Sequence, residues 1–268
     1  MSDPELEAPV VIIGMGEMGK IFAQGLLSLG VPVVPAIRGT DLVILGEHLY
    51  NRNLFPRMVL AALPEERLDR ARYYAPHYWM NRMAFVQNEL LPRDLFGYFS
   101  QPTVMSVWFE KKKDRPLKVI QPSPVHGPHA QLLHDALATL GIPSRVLDSA
   151  DEMLFEQVVK NLYILTTNIA GLQVGGDVAT LWSQHRELAR AVADDVITLQ
   201  EALTGEQFDR GALLDAMLQA FDNDPTHQCM GRSAPARLQR ALANAAQYEV
   251  TLPRLAEIAA AQPVSDGA

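Results

Sequence analysis

The chain has 268 residues, 48% hydrophobic and 20% charged, enough for two domains with separate cores. A formal net charge of −8 and a pI near 5.4 speak against nucleic acid or an anionic membrane as the main partner. The single cysteine, Cys229, rules out an intrachain disulfide and fits a reducing compartment. The opening Met-Ser-Asp-Pro-Glu-Leu-Glu lacks the basic and apolar segments of a signal peptide. No run reaches the roughly 18 to 20 apolar residues of a membrane span, so a soluble, cytoplasmic protein is expected.

The first element, Val10–Ile13, is the short apolar run of a buried parallel strand. Gly14-Met15-Gly16-Glu17-Met18-Gly19 follows directly, and Met18, Ile21, Phe22, Leu26 and Leu29 then recur at helical spacing, with Gly30 in the C-cap position. A G-x-G-x-x-G between a strand and a helix has a specific chemistry. Gly14 permits the tight turn, Gly16 lets a pyrophosphate approach the backbone, and Gly19 lets the helix pack close to the strand. The free N–H groups at the helix start would face the phosphates. A second strand, Val31–Ile37, ends in Arg38, where an NAD site would carry an acid for the ribose 2′-hydroxyl. The arginine fork suits a 2′-phosphate, so the expected cofactor is NADP(H). Pro32 and Pro35 sit awkwardly in that strand if it is internal.

Further strands are predicted at Asp41–Leu45, Met58–Leu63, Met83–Val86, Val104–Phe109, Leu117–Ile120 and Ser144–Leu147, with helices at Glu65–Tyr73 and His129–Leu140. After Ala150 only helical patterns remain, at Met153–Leu172, Arg186–Leu203, Phe208–Phe221, Ala236–Gln247 and Pro253–Ala261, before a frayed tail at Gln262–Ala268. The expected architecture is an α/β Rossmann-type N-terminal domain over residues 1–148, followed by an all-α C-terminal domain over 149–268.

Other chemistry-bearing residues read more plainly. His126, His129 and His134 lack the spacing and interleaved ligands of a metal site and suit surface or capping roles; no metal is expected. Lys111-Lys112-Lys113 before Asp114 reads as a solvated turn, and Tyr73-Tyr74 through Tyr78-Trp79 as loop packing. Asp194-Asp195 reads as a solvated helix face, and Cys229 as a small buried apolar residue. Met15 and Met18 would line the cofactor loop and the helix–sheet contact.

The stretch from Ile13 through the glycine loop to Arg38, together with Phe85-Val86-Gln87-Asn88 and the helical second half, resembles the ketopantoate reductase (2-dehydropantoate 2-reductase) family. The resemblance implies NADPH-dependent reduction of a small 2-oxo acid or ketone, with Asn88 near the nicotinamide. It also implies a helical half that serves the substrate site and a homodimer. The family places a lysine on the first helix of the second domain, asparagines one and two turns later, and a glutamate nearer the C-terminus. Aligned without a gap on Gly176-Asp177, Gln157 stands at the lysine, Asn161 keeps the first asparagine, Leu165 replaces the second, and the glutamate falls near Ser233. A shifted alignment puts Lys160 on the lysine and Asn168 on the second asparagine but sets Ile164 at the first. The family's second basic residue near the cofactor is also missing, its place taken by Ala61-Ala62-Leu63-Pro64-Glu65.

Ketone reduction needs a proton donor for the developing alkoxide, and an amide such as Gln157 cannot titrate for it. Lys160, three residues on along the helix, is the candidate acid, with Gln157 and Asn161 beside it. The competing reading is a non-catalytic NADP-binding protein of the same fold, a sensor or regulator. A 3-hydroxyacid dehydrogenase would need a K-x-x-x-N, which Lys160 followed by Ile164 does not give.

Overall fold

The computed structural model describes residues 8–64, 67–86, 88–95 and 97–262. Met1–Glu7, Glu65 at the start of an expected helix, Gln87 and all but the first residue of the expected tail lie outside them. The chain divides into two compact units, Met1–Glu156 and Gln157–Ala268.

The first unit is built on a seven-stranded sheet in the order β2-β1-β3-β4-β5-β8-β9. Its strands are β1 (Val10–Ile13), β2 (Val33–Ala36), β3 (Met58–Ala61), β4 (Met83–Phe85), β5 (Thr103–Met105), β8 (Ser123–His126) and β9 (Ser144–Val146). All neighbours pair in parallel except β5 and β8. A separate two-stranded ribbon joins β6 (Phe109–Glu110) to β7 (Lys118–Val119). The helices are α1 (Glu17–Ser28), α2 (Leu42–Asn51), α3 (Leu68–Tyr74), α4 (Pro92–Leu95), α5 (Ala130–Ala138) and the start of α6 (Ala150–Val174).

The unbroken apolar run of β1 is explained by cover on both faces. Val10 and Ile12 join Phe22, Leu26 and Leu133 in one core, whereas Val11 and Ile13 join Leu42, Leu49 and Trp79 in the other. This is the expected Rossmann-type arrangement. The Pro35 difficulty resolves because β2 is an edge strand, bonded only to β1, where a missing N–H breaks no second ladder. Gly30 ends α1 as expected, at φ +76, with Val31 N–H bonded back to Leu26.

Several elements differ from expectation, α4 among them, which was not expected at all. Asp41–Leu45 is not a strand: Asp41 caps α2, its carboxylate accepting from the N–H groups of Val43 and Ile44, and Leu42, Gly46 and Leu49 are buried on one helical face. Strand β8 falls where no element was expected. The turn after it needs glycine, since a Cβ on Gly127 (φ +119) would lie 2.7 Å from the Thr103 Cα. The single strand expected over Val104–Phe109 is split into β5 and β6, and Trp108 N–H turns to the Ser123 hydroxyl at 2.9 Å.

The regular elements of the second unit are helices, the remainder of α6, then α7 (Val178–Gln184), α8 (Arg186–Thr204), α9 (Arg210–Asn223), α10 (Ala234–Gln247) and α11 (Pro253–Ala260), with one isolated β-bridge between Asp177 and Gln228 in the loops that join them. The unexpected α7 is capped by Asp177, whose carboxylate accepts from Thr180 N–H at 2.8 Å. Asp195 is not on a solvated face. It is buried and accepts the Leu255 N–H at 2.9 Å, capping the first turn of α11 from a different helix. Burial pushes its carboxyl pKa up, partly offset by that backbone bond. Cys229 is buried as expected and lies against Gly171 of α6, where a Cβ would meet its backbone at 2.7 Å. No helix among the described residues is long and apolar enough to cross a membrane.

Candidate functional site

In a parallel sheet, strand C-termini line one edge, and the order β2-β1-β3-β4 gathers there the segments that follow four strands. After β1 comes the glycine loop, after β2 Arg38, after β3 Ala62-Leu63-Pro64, and after β4 Asn88.

The loop is shaped by what its glycines lack. Gly14 sits at φ +100 with its N–H bonded to Ala36 O, and a Cβ there would lie 2.5 Å from Ala62 O. A Cβ on Gly19 would lie 2.0 Å from Gly14 O, so only glycine lets α1 start this close to the turn. Gly16 differs: at φ −71, its added Cβ would meet nothing within 4 Å. It is the N-cap of α1, no side chain caps that end, and the first-turn N–H groups face the open space beside Gly16. This cradle, open at the position where a side chain would fill it, fits a pyrophosphate. Glu17, an acid in the glycine loop, is paired with Lys20 at 3.1 Å. Met15 and Met18 pack against the core beneath α1, as expected.

Arg38 is exposed and makes no hydrogen bond or ion pair among the described residues. A second arginine, which sequence reading missed, stands at the same loop. Arg70 of α3 donates from Nη2 to the carbonyl oxygens of Thr40 and of Ile37, the latter at 3.4 Å. Nothing local announces it, because its partners lie 30 and 33 residues away. Asn88 is exposed at the same sheet edge.

In the second unit, α6 carries a set of polar residues inside an otherwise apolar helix. Gln157 is 4% exposed, Lys160 5%, Asn161 2% and Asn168 7%, so Lys160 is not an ordinary surface lysine. Gln157, Asn161 and Asn168, four and seven residues apart in turn, share one helical face, with Lys160 at its flank. The Lys160 ammonium lies 5.6 Å from the centre of the Tyr163 ring, and that ring packs on Phe221 and His227. Asn161 Nδ2 donates to Gln200 Oε1 of α8 at 2.8 Å. Asn168 Nδ2 donates to Ile164 O at 2.9 Å, and its Oδ1 accepts from Arg237 of α10 at 3.0 Å. Leu165 and Ile164, the other aligned positions, are buried, while Ser233 is exposed just before α10. Gln200 and Arg237 are partners that the sequence did not suggest. The described residues hold no cluster of three or more His, Cys, Asp or Glu suited to a metal ion.

No family model and no curated relative matches the sequence. Solved structures do match. The chain is similar to 2-dehydropantoate 2-reductase from Methylococcus capsulatus, with a TM-score of 0.66 at 14% identity, over 94% of each chain. It is similar to the PanE/ApbA family ketopantoate reductase from Ralstonia eutropha JMP134, with a TM-score of 0.64 at 13% identity, over 94% of this chain and 96% of that one. It is also similar to D-mandelate dehydrogenase solved with NADH and anilino(oxo)acetate, with a TM-score of 0.65 at 11% identity, over the same shares. The chain therefore has the fold of the ketopantoate reductases, a fold that D-mandelate dehydrogenase shares.

Proposed function

We propose that the protein is an NADPH-dependent reductase of a small 2-oxo acid or ketone. The observation that carries this reading is the buried polar face of α6. Amide and ammonium side chains are seldom found this deep in a helix core, yet α6 keeps Gln157, Lys160 and Asn161 buried side by side. A few convergent polar side chains among apolar ones are the usual lining of a small-molecule site. Solved neighbours that reduce or oxidise 2-oxo and 2-hydroxy acids add support at the level of the fold.

The N-terminal unit would hold the nucleotide: first-turn N–H groups of α1 beside Gly16 on the pyrophosphate, and Arg38 on a 2′-phosphate. Arg70, tied to the loop that carries Arg38, would add a second positive charge and stiffen it. Asn88 would lie near the nicotinamide. NADPH, when bound, supplies the hydride. Lys160 would polarise the substrate carbonyl oxygen and deliver the proton it takes on becoming a hydroxyl, with Gln157 and Asn161 orienting the substrate. The helical second domain would also serve a homodimer; one neighbouring ketopantoate reductase is described as dimeric.

The test is NADPH oxidation over a panel of 2-oxo acids, with NADH as the competing donor and Lys160→Ala as the variant. Turnover that prefers NADPH and falls at least about 100-fold in the variant is expected for a lost acid. Tight NADPH binding without turnover on any acid would favour a binding-only protein. An unchanged rate in Lys160→Ala would remove that residue from the chemistry.

A further inference from the structure

We propose that Gln200 is a positioning residue: it fixes the side-chain amide of Asn161 so that the Asn161 carbonyl oxygen is held ready for a hydrogen-bond donor on the substrate. Two buried amides on different helices meet here, Asn161 on α6 and Gln200 on α8, each no more than 2% exposed. Their bond of 2.8 Å runs from Asn161 Nδ2 to Gln200 Oε1, well within hydrogen-bonding range. It occupies the donor end of Asn161. The acceptor end, Oδ1, is buried and receives no hydrogen bond among the described residues.

Two further polar side chains on α6 have their hydrogen bonds elsewhere. Thr167 donates back to Tyr163 O at 2.8 Å, and Asn168 uses both ends of its amide, on Ile164 O and on Arg237. Asn161 Oδ1 is an acceptor taken out of water without a donor, a costly arrangement that a donor on the substrate would relieve. An asparagine amide has two nearly isosteric orientations, so an unanchored Asn161 could offer either its NH2 or its oxygen. An acceptor placed at Nδ2 selects the orientation that leaves the oxygen available. The substrate group that matches is a hydroxyl or amine near the reacting carbonyl, not a second carbonyl or carboxylate oxygen.

The inference rests on the reading that this face of α6 meets the substrate. It is tested by measuring kcat and KM with NADPH for 4-hydroxy-2-oxobutanoate and 2-oxobutanoate, which differ by one hydroxyl, in wild type, Gln200→Leu and Gln200→Glu. The wild type is expected to prefer the hydroxylated acid about tenfold in KM, the value of one hydrogen bond. Gln200→Leu should lose that preference through KM on the hydroxylated acid alone, with kcat within about twofold. Gln200→Glu, whose carboxylate can only accept, should keep it. A Gln200→Leu protein that handles both acids as the wild type does, or worsens both alike, overturns the proposal.

Proton exchange at the Asn161 side-chain amide, followed by NMR, reads the anchoring without any turnover. Slow exchange in the wild type, at least about tenfold faster in Gln200→Leu, is expected for a protected buried bond. Exchange in the wild type as fast as at exposed Asn88 would overturn the anchoring. If no 2-oxo acid is reduced at all, the reductase reading fails and takes the substrate half of the proposal with it, while the exchange data still decide whether Gln200 holds the amide.

Discussion

Gly16 and Gly19 belong to one motif, yet the structure assigns them opposite sensitivities, and a pair of alanine variants should separate binding from folding. At Gly19 the new Cβ would stand 2.0 Å from Gly14 O, a backbone atom that cannot move without opening the turn. Overpacking of this severity costs about 3 kcal/mol or more. For a unit of roughly 150 residues that corresponds to a melting temperature lower by about 6–12 °C. At Gly16 the Cβ enters open space, and φ −71 is ordinary for alanine. The reduced freedom of the unfolded chain, worth about 0.4–1 kcal/mol, is offset by the poorer N-cap that alanine makes, so stability should stay within about 1 kcal/mol. The same methyl would occupy the cradle where a pyrophosphate oxygen must come within about 2.9 Å of a backbone nitrogen. Losing one charge-assisted hydrogen bond of about 1.5–3 kcal/mol raises Kd roughly 10- to 100-fold. Thermal melts and fluorescence titration with NADPH read the two quantities independently. Gly16→Ala protein that binds NADPH as tightly as wild type would refute the cradle, and Gly19→Ala protein that melts unchanged would refute the close packing of α1 on the turn.

Asp195→Ala removes the carboxylate that caps α11 from α8, and an expected loss of about 1–2 kcal/mol should appear as a lower urea midpoint with unchanged NADPH affinity. His129 has its pKa held below the ordinary 6.5 by burial first and then by the charges of Arg82 and Arg57. The native state therefore resists a proton that the unfolded chain accepts: this contribution is complete above the unfolded pKa and is lost as pH falls through 6.5 toward the folded value. Urea midpoints should drop between about pH 7 and pH 5, and His129→Gln should flatten that drop; an equal slope in both proteins would contradict it. The Cys229 thiol is pushed up to about 12 by burial and then by the charge of Asp177. A thiol reagent at pH 8 should therefore label the native protein far more slowly than the urea-unfolded chain, and equal rates would place Cys229 at the surface.

The departures from the sequence expectations have physical causes. Asp41-Leu-Val-Ile-Leu was expected to be a strand because four consecutive apolar residues fit a buried strand as well as a helix. The deciding signal was Asp41 itself, a capping residue followed by Leu42, Gly46 and Leu49 at helical spacing. Strand β8 escaped notice because Pro124 and Gly127 look like loop punctuation, and only its pairing with β5 and β9 makes it a strand. Asp195 looked solvated because its helix is amphipathic, and its actual partner is a backbone N–H 60 residues on. For β8 and Asp195 a tertiary partner overrode the local inference, whereas at Asp41 a local cap decided between two patterns that fit equally well.

The same distinction separates the two halves of the candidate site. The candidate nucleotide loop is defined by backbone: Gly14 must clear Ala62 O after β3, Gly19 must clear Gly14 O, and Gly16 leaves an open space. Such demands are recorded as a fixed spacing of glycines, which a sequence displays directly. The face of α6 is defined by side chains. Whether Lys160, Gln157 and Asn161 are a solvated stripe or a buried set depends on the elements packed around them, and the orientation of Asn161 depends on Gln200, 39 residues away on another helix. A helical period reports that the helix exists, not which of its faces is buried against what. That is why the glycine spacing is legible in the sequence, whereas the burial of Lys160 and Gln157 is not. Burial now separates both from the solvent face. It does so equally for the two, and chemistry chooses between them: of the pair, only the ammonium can give up a proton to an alkoxide.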